Sequence, residues 1–346
     1  MFDPAFMHRC LELAAIGRGR VGNGALVGAV LVRNGTVIAE AFHDSFGGLH
    51  AERALLESYS SVEPQDTLYV NLEPCCHYGK TPPCTDVIIQ KGVKTVVYGM
   101  DDPDARISGK GIKALQEAGV IVIGPFEQAL CERLNKGFIQ VRKKRRPYIT
   151  LKQAVSRSGS IANDDGSMLK ITSPEQDAWS HCFLRATHDA ILIGIGTVIS
   201  DNPQLNIRFD HNPVFSFTEG LNEKKANLNN SINPFRIILD PNMKIDLRAR
   251  LISDNERRRT ILCVTPQAAA TDPEKTAALH ERGVRMLSIP KAGAIFDWLA
   301  LWSALMTPCE DFCGITSILV EGGGKTWQVF RSAGLVDEDV TLVGGS

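Results

Sequence analysis

Apolar positions in the first part of the chain repeat with two periods, and the switches between them outline the elements. Ala5, Cys10, Leu11, Leu13 and Ala14 recur at helical spacing over residues 4 to 16, and glycines at 17, 19, 22 and 24 end that helix. Residues 26 to 32 form a run of β-branched and small apolar side chains. Asn34-Gly35 then turns the chain into a second strand over 36 to 41, a β-hairpin. After His50 the segment AERALLESYS returns to helical spacing, with Ala51, Ala54 and Leu55 on one face, so His50 and Glu52 fall at a helix N-terminus. A strand (67 to 72), a Cys-rich loop, a helix (83 to 91), a strand (95 to 99), a helix (111 to 118) and a strand (120 to 123) follow. This alternation predicts a three-layer α/β/α domain.

Further on, short apolar runs at 148 to 154, 190 to 195, 236 to 239, 260 to 264 and 317 to 320 alternate with helical or polar stretches, which predicts a second α/β domain. The Asn-rich stretch 211 to 233 has little apolar periodicity and reads as a surface excursion. Between the halves, the basic run RKKRRP at 142 to 147 reads as a solvated junction. A chain of 346 residues exceeds what one core organises, so the expected domains are 1–146 and 147–346.

Composition narrows the function. Hydrophobic content of 44%, charged content of 22% and a net charge of -1 describe a globular protein with no basic field for nucleic acid and no composition suited to a membrane. The N-terminus lacks the pattern of a signal peptide, and no apolar run reaches membrane-spanning length. Three of the nine cysteines crowd into positions 75 to 84, which suits thiolate ligation in a reducing cytoplasm better than a disulfide framework.

Those cysteines point to chemistry. A hydrolytic deaminase must generate hydroxide near neutral pH and deliver protons to a departing amine, and zinc with three protein ligands beside a carboxylate meets both needs. His50, Cys75 and Cys84 supply such a ligand set, and Glu52, two residues after the His, is the expected catalytic proton carrier. The bland alternative is a buried His among core cysteines. Cys76 and His77 are also ligands by type, but a four-coordinate site with an open position has no room for both; Cys76 reads as packing and His77 as a pocket side chain.

HAE followed by LEPCCHYGKTPPCTDVII resembles the bifunctional family of riboflavin biosynthesis, diaminohydroxyphosphoribosylaminopyrimidine deaminase / 5-amino-6-(5-phosphoribosylamino)uracil reductase. The resemblance continues through GMDDPDARISGKGIKALQEAGV, LNKGF, RPYITLKQAVS, DAILIGIGTVISDNPQLNIR and LVEGGGKTWQVF. It implies a cytidine-deaminase-like α/β/α domain followed by a dihydrofolate-reductase-like α/β domain, with Zn2+ and NADPH as cofactors. The first domain would deaminate 2,5-diamino-6-(5-phosphoribosylamino)pyrimidin-4-one, and the second would reduce the ribose to a ribityl chain. Matched to the family pattern, Ala154, Lys170, Thr197, Asp201, Gly323 and Gly324 would bind NADPH, while Arg185, Leu205, Arg208 and Glu321 would contact substrate. A homo-oligomer is expected from the resemblance alone.

The chain departs from that pattern in places. Met168-Leu169-Lys170 replaces a Ser-x-Trp stretch, Ser158 replaces an Asp, and the helix from 174 to 185 is one residue longer. Gly24 stands where a pyrimidine-binding Asn is expected, with Asn23 as a substitute after a one-residue shift. The family continues through a further strand after GLVDEDVTLVGGS, so the second domain is expected to be shortened at its C-terminus. Two alternatives follow: a deaminase whose C-terminal domain serves binding or oligomerisation, and a non-catalytic relative with structural zinc, which the presence of Glu52 argues against.

Overall fold

The computed structural model describes residues 2–160, 171–208, 232–293 and 295–344. Among the described residues, contacts divide the chain into two units: residues up to Arg145 with Ile232 and Pro308–Cys313 form one, and the remaining residues from Arg146 onward form the other.

The first unit opens with α1 (Pro4–Ile16), whose start is set by Asp3 accepting the Ala5 N–H and by Pro4 in the first turn. The hairpin β1 (Gly28–Arg33) and β2 (Thr36–Phe42) follows, closed by Asn34 and Gly35 at φ 51 and 75. Then come α2 (Ala51–Ser58), β3 (Thr67–Val70), α3 (Cys84–Gln90), β4 (Thr95–Tyr98), α4 (Lys110–Glu117), β5 (Ile121–Ile123), α5 (Gln128–Leu134) and α6 (Lys136–Lys144). The strands form one sheet in the order β2-β1-β3-β4-β5, with β1 antiparallel to both neighbours and β3, β4 and β5 parallel. Leu31, Leu68, Val70, Val96 and Val97 pack in its core with Leu11, Leu55 and Ile88 of the helices.

One expectation needs correction here. The division between the units does fall within the basic run, between Arg145 and Arg146, but the run is not an open linker: Arg142, Lys143 and Lys144 form the last turn of α6, where cations face the carbonyl end of the helix dipole, and Arg145 in the left-handed region ends it.

The second unit comprises β6 (Tyr148–Val155), α7 (Pro174–Trp179), a π turn (Ser180–Leu184), a 3-10 turn (Arg185–Thr187), β7 (Ala190–Gly194), α8 (Ile195–Asp201), β8 (Phe235–Leu239), α9 (Arg250–Ser253), β9 (Thr260–Val264), α10 (Pro266–Thr271), α11 (Pro273–Glu281) and β10 (Arg285–Ser288). The short pair β11 (Lys291–Ala292) and β12 (Ile295–Phe296), α12 (Trp298–Met306), β13 (Ser317–Val320), α13 (Gly324–Ser332) and β14 (Glu338–Val343) complete it. Seven strands form an all-parallel sheet, β10-β9-β8-β7-β13-β6-β14. The inner strands are continuous apolar runs because both faces are covered, as in Ala190–Gly194 and Thr260–Val264. Edge strand β14 instead alternates half-buried and exposed positions, a period the apolar runs did not reveal. The π turn is the local geometry by which a helix absorbs one extra residue, and it lies where the chain departs from the family pattern by one residue. The expected surface excursion, save residues 232 and 233, and the 168–170 departure lie outside the described residues.

Candidate functional site

In the first unit three elements converge on one point. His50 is the N-cap of α2, Cys75 lies in the loop after β3, and Cys84 opens α3. The His50 Nδ1 is 3.4 Å from the Cys75 Sγ and 3.5 Å from the Cys84 Sγ, and all three ligand atoms lie within 4.8 Å of one another. Tetrahedral zinc with its usual bond lengths needs about 3.5 Å between nitrogen and sulfur ligands, and both nitrogen–sulfur distances fit it. The Cys84 N–H donates to the Cys75 Sγ at 3.3 Å. Hydrogen bonding from Cys84, and after it from His50, draws the Cys75 thiol down to about 4, while sharing that proton and burial keep Cys84 high. A zinc ion bound here would be held by both sulfurs as thiolates and by the imidazole. Cys76 and His77 stand outside the cluster.

Glu52, in the first turn of α2, is 3% exposed, and burial followed by the charge of Cys75 pushes its carboxyl up to about 7. It lines a cavity of about 450 Å³ together with His43, His77, Asp102, Arg106 and Arg142. Gly24 also lines it, whereas Asn23 does not. The His43 ring lies 5.5 Å from that of His50, and its buried Nε2 has no partner among the described residues. Glu73 also lines the cavity, and its buried carboxylate accepts the backbone N–H groups of Asp102 (3.2 Å), Gly109 (3.0 Å) and Gly111 (3.0 Å). Sequence spacing singled out neither His43 nor Glu73, because each gains meaning only from what it faces.

The second unit carries its own site where β7, β8 and β13 end, the place in a parallel sheet where helix N-termini and loops leave room for a ligand. A cavity of about 450 Å³ there is lined by Gly194, Thr197, Leu239, Gly323, Gly324 and Lys325, among others. Gly323 is the N-cap of the nine-residue α13, and its N–H lies 3.3 Å from the Thr197 hydroxyl. A Cβ at Gly322 would stand 2.6 Å from that of Thr326, so the turn is tight because it is glycine. Exposed N–H groups at a helix start, a hydroxyl and a lysine suit a pyrophosphate, which is what NADPH offers. Of the other expected cofactor residues, Ala154 on β6 and Asp201 at the end of α8 do not line this cavity, and Lys170 lies outside the described residues.

The four expected substrate residues come together differently. Arg185 and Glu321 are bonded to each other through two hydrogen bonds, and the buried Leu205 holds a left-handed backbone at φ 52. The Arg208 backbone N–H donates to His181 at 3.0 Å.

Both regions of the chain are similar to known proteins. Residues 2–100 match the model for the cytidine and deoxycytidylate deaminase zinc-binding region, and residues 147–344 match that of the RibD C-terminal domain. The riboflavin biosynthesis protein RibD of Aquifex aeolicus is 35% identical over 99% of this chain and 86% of its own length. A solved RibD of Acinetobacter baumannii is similar at a TM-score of 0.76 and 30% identity, covering 99% of this chain and 86% of that one. A Thermotoga maritima structure described as a diaminohydroxyphosphoribosylaminopyrimidine deaminase / 5-amino-6-(5-phosphoribosylamino)uracil reductase is similar at a TM-score of 0.74 and 33% identity, covering 98% of this chain and 85% of that one.

Proposed function

The chain belongs to the bifunctional deaminase–reductase family of riboflavin biosynthesis, and on that premise we propose which of its residues carry each reaction. It is a zinc- and NADPH-dependent enzyme that hydrolytically deaminates 2,5-diamino-6-(5-phosphoribosylamino)pyrimidin-4-one and then reduces the ribose to a ribityl chain, on a cytidine-deaminase-like domain and a dihydrofolate-reductase-like domain. The match over 147–344 favours this reading over a deaminase alone.

In our assignment, residues 1–146 carry the deaminase and 147–346 the reductase. His50, Cys75 and Cys84 hold the zinc, which when bound supplies a water acidic enough to ionise near neutral pH. Glu52 takes one proton from the attacking water and gives it to the pyrimidine ring nitrogen, then takes the second from the hydroxyl added at the ring carbon and gives it to the amine, which leaves as ammonia while the carbonyl forms. Its burial supports that role, since a carboxyl pushed toward neutrality both accepts and returns a proton. Asp102, Arg106 and Arg142 line the same cavity and offer polar groups to the phosphoribosyl end.

In the second unit bound NADPH supplies the hydride. Thr197, Gly323 and Gly324 cradle its pyrophosphate, with Ala154, Lys170 and Asp201 as further contacts. Arg185, Leu205, Arg208 and Glu321 orient the substrate so that the sugar carbon faces the hydride. A homo-oligomer in the cytoplasm is part of this reading. The first rests on the family; the second is supported by nine free cysteines.

The clustering of His50, Cys75 and Cys84 beside Glu52 carries the proposal. It is tested by ammonia release with and without chelator, followed by NADPH consumption on the deaminated product. Ammonia release indifferent to zinc removal would sink the metal assignment.

A further inference from the structure

His181 has no part in the assignments above, yet its surroundings are those of a binding residue. It sits in the π turn, 8% exposed. Its Nδ1 accepts the backbone N–H of Arg208 at 3.0 Å, so that nitrogen carries no proton. Burial, then the charges of Arg185 and Arg208, hold the ring pKa down to about 4, and the neutral imidazole therefore carries its proton on Nε2. That Nε2 stands 3.5 Å from the Nη1 of Arg185.

Both atoms are donors and cannot satisfy one another. The Nε and Nη2 of Arg185 are committed to Glu321, and Nη1 gives one hydrogen to the Asn206 carbonyl at 2.9 Å, leaving its second hydrogen beside the imidazole N–H. Asn206 itself has a buried Oδ1 with no partner among the described residues. Unpaired polar atoms at this depth carry a desolvation penalty and persist where something else completes them. Two donors side by side match an oxygen ligand, and a phosphorylated sugar offers both phosphate oxygens and hydroxyls. The π turn puts His181 and Arg185, four residues apart, beside one another, a local geometry that recurs at functional sites.

We propose that His181 is a substrate-binding residue of the reductase site, its Nε2–H and the Arg185 Nη1 acting as paired donors to one oxygen of the substrate's phosphorylated sugar. The assignment rests on the reductase reading above. It is tested on the full chain by calorimetry with the deaminated pyrimidine substrate in the absence of NADPH, alongside KM and kcat for NADPH oxidation and ammonia release as a control on the first unit. His181→Ala weakens Kd and raises KM about tenfold, the loss of one charge-assisted contact, with kcat within about twofold. His181→Gln, which places an amide nitrogen near the former Nε2, restores Kd to within about threefold, whereas His181→Asn, which keeps only the acceptor near Nδ1, behaves like alanine. Inorganic phosphate assigns the oxygen: its affinity falls in the alanine variant if the contact is to phosphate and is unchanged if it is to a sugar hydroxyl. An alanine variant with the parent Kd overturns the assignment. So does equal Kd in the Gln and Asn variants, a comparison that stands even if alanine fails to fold. Substrate binding that depends on His181 without any NADPH oxidation would overturn the reductase reading instead.

Discussion

Arg185 grips Glu321 at two points, Nε to Oε1 at 2.8 Å and Nη2 to Oε2 at 2.6 Å, and joins the end of the π turn to the residue that follows β13. Family matching marks each as a substrate contact; the structure makes them one unit, in which Glu321 fixes the guanidinium and leaves only one edge of it to offer.

Breaking that pair strands a charge in a buried setting. Glu321→Ala is expected to destabilise the second unit by about 3–5 kcal/mol, with Glu321→Gln costing less because it keeps an acceptor. Denaturant midpoints read through NADPH oxidation and ammonia release check this: the first activity is lost at lower denaturant while the second keeps its midpoint. A midpoint unmoved by the alanine change would show that the pair adds nothing.

Acid should destabilise the same unit. Burial alone would raise the Glu321 carboxyl, but Arg185 outweighs it and carries it down to about 2, so the stability it contributes is complete above the unfolded value of 4.5 and is lost as pH falls toward 2. His181 is held at about 4, below its unfolded 6.5, so the unfolded chain takes that proton first and stability drops as pH falls from 6.5 to 4. Each contribution is on the order of 3 kcal/mol. Unfolding midpoints that fall steadily from pH 7 to pH 3 fit this, with His181→Gln flattening the upper part and Glu321→Gln the lower. Midpoints constant over that range contradict it.

Glu52→Gln keeps the shape of the side chain and removes its proton chemistry. Zinc content is expected to stay at one per chain while deamination falls at least about 100-fold. Cys84→Ala, by contrast, loses the metal. Atomic absorption on both variants with an ammonia assay decides, and a Glu52→Gln enzyme at full rate would remove Glu52 from the chemistry.

Chelation should separate the two activities. Stripping zinc abolishes ammonia release, while NADPH oxidation on substrate deaminated beforehand continues, since the second site holds no part of the His50, Cys75, Cys84 cluster. Parallel loss of both on chelation would contradict the two-site assignment.

Gly111→Ala tests the wall held by Glu73. An added Cβ would stand 1.9 Å from the Pro74 carbonyl oxygen, and the Gly111 N–H bond to Glu73 would have to shift with it. A loss of about 1–3 kcal/mol in stability and a raised KM for deamination are expected. Gly109→Ala is no control, since its φ of 79 strains any side chain, whereas Gly79→Ala meets open space at an ordinary φ and should be near neutral in stability.

The sequence by itself determined the kind of chemistry and the class of both halves. Zinc ligation needs particular atoms, so His50, Glu52, Cys75 and Cys84 in that order state it without any coordinates, and apolar period alone predicts two α/β units. Tertiary structure decided what spacing cannot encode. Whether 142–144 is linker or helix depended on the turn behind it; β14 became a strand because β6 offered an edge; and His43, Glu73 and His181 acquired roles only from the groups that folding set against them. A side chain's type travels with the sequence, but the donors, acceptors and charges around it come from residues tens to more than a hundred positions away, and those are assembled only when the core closes.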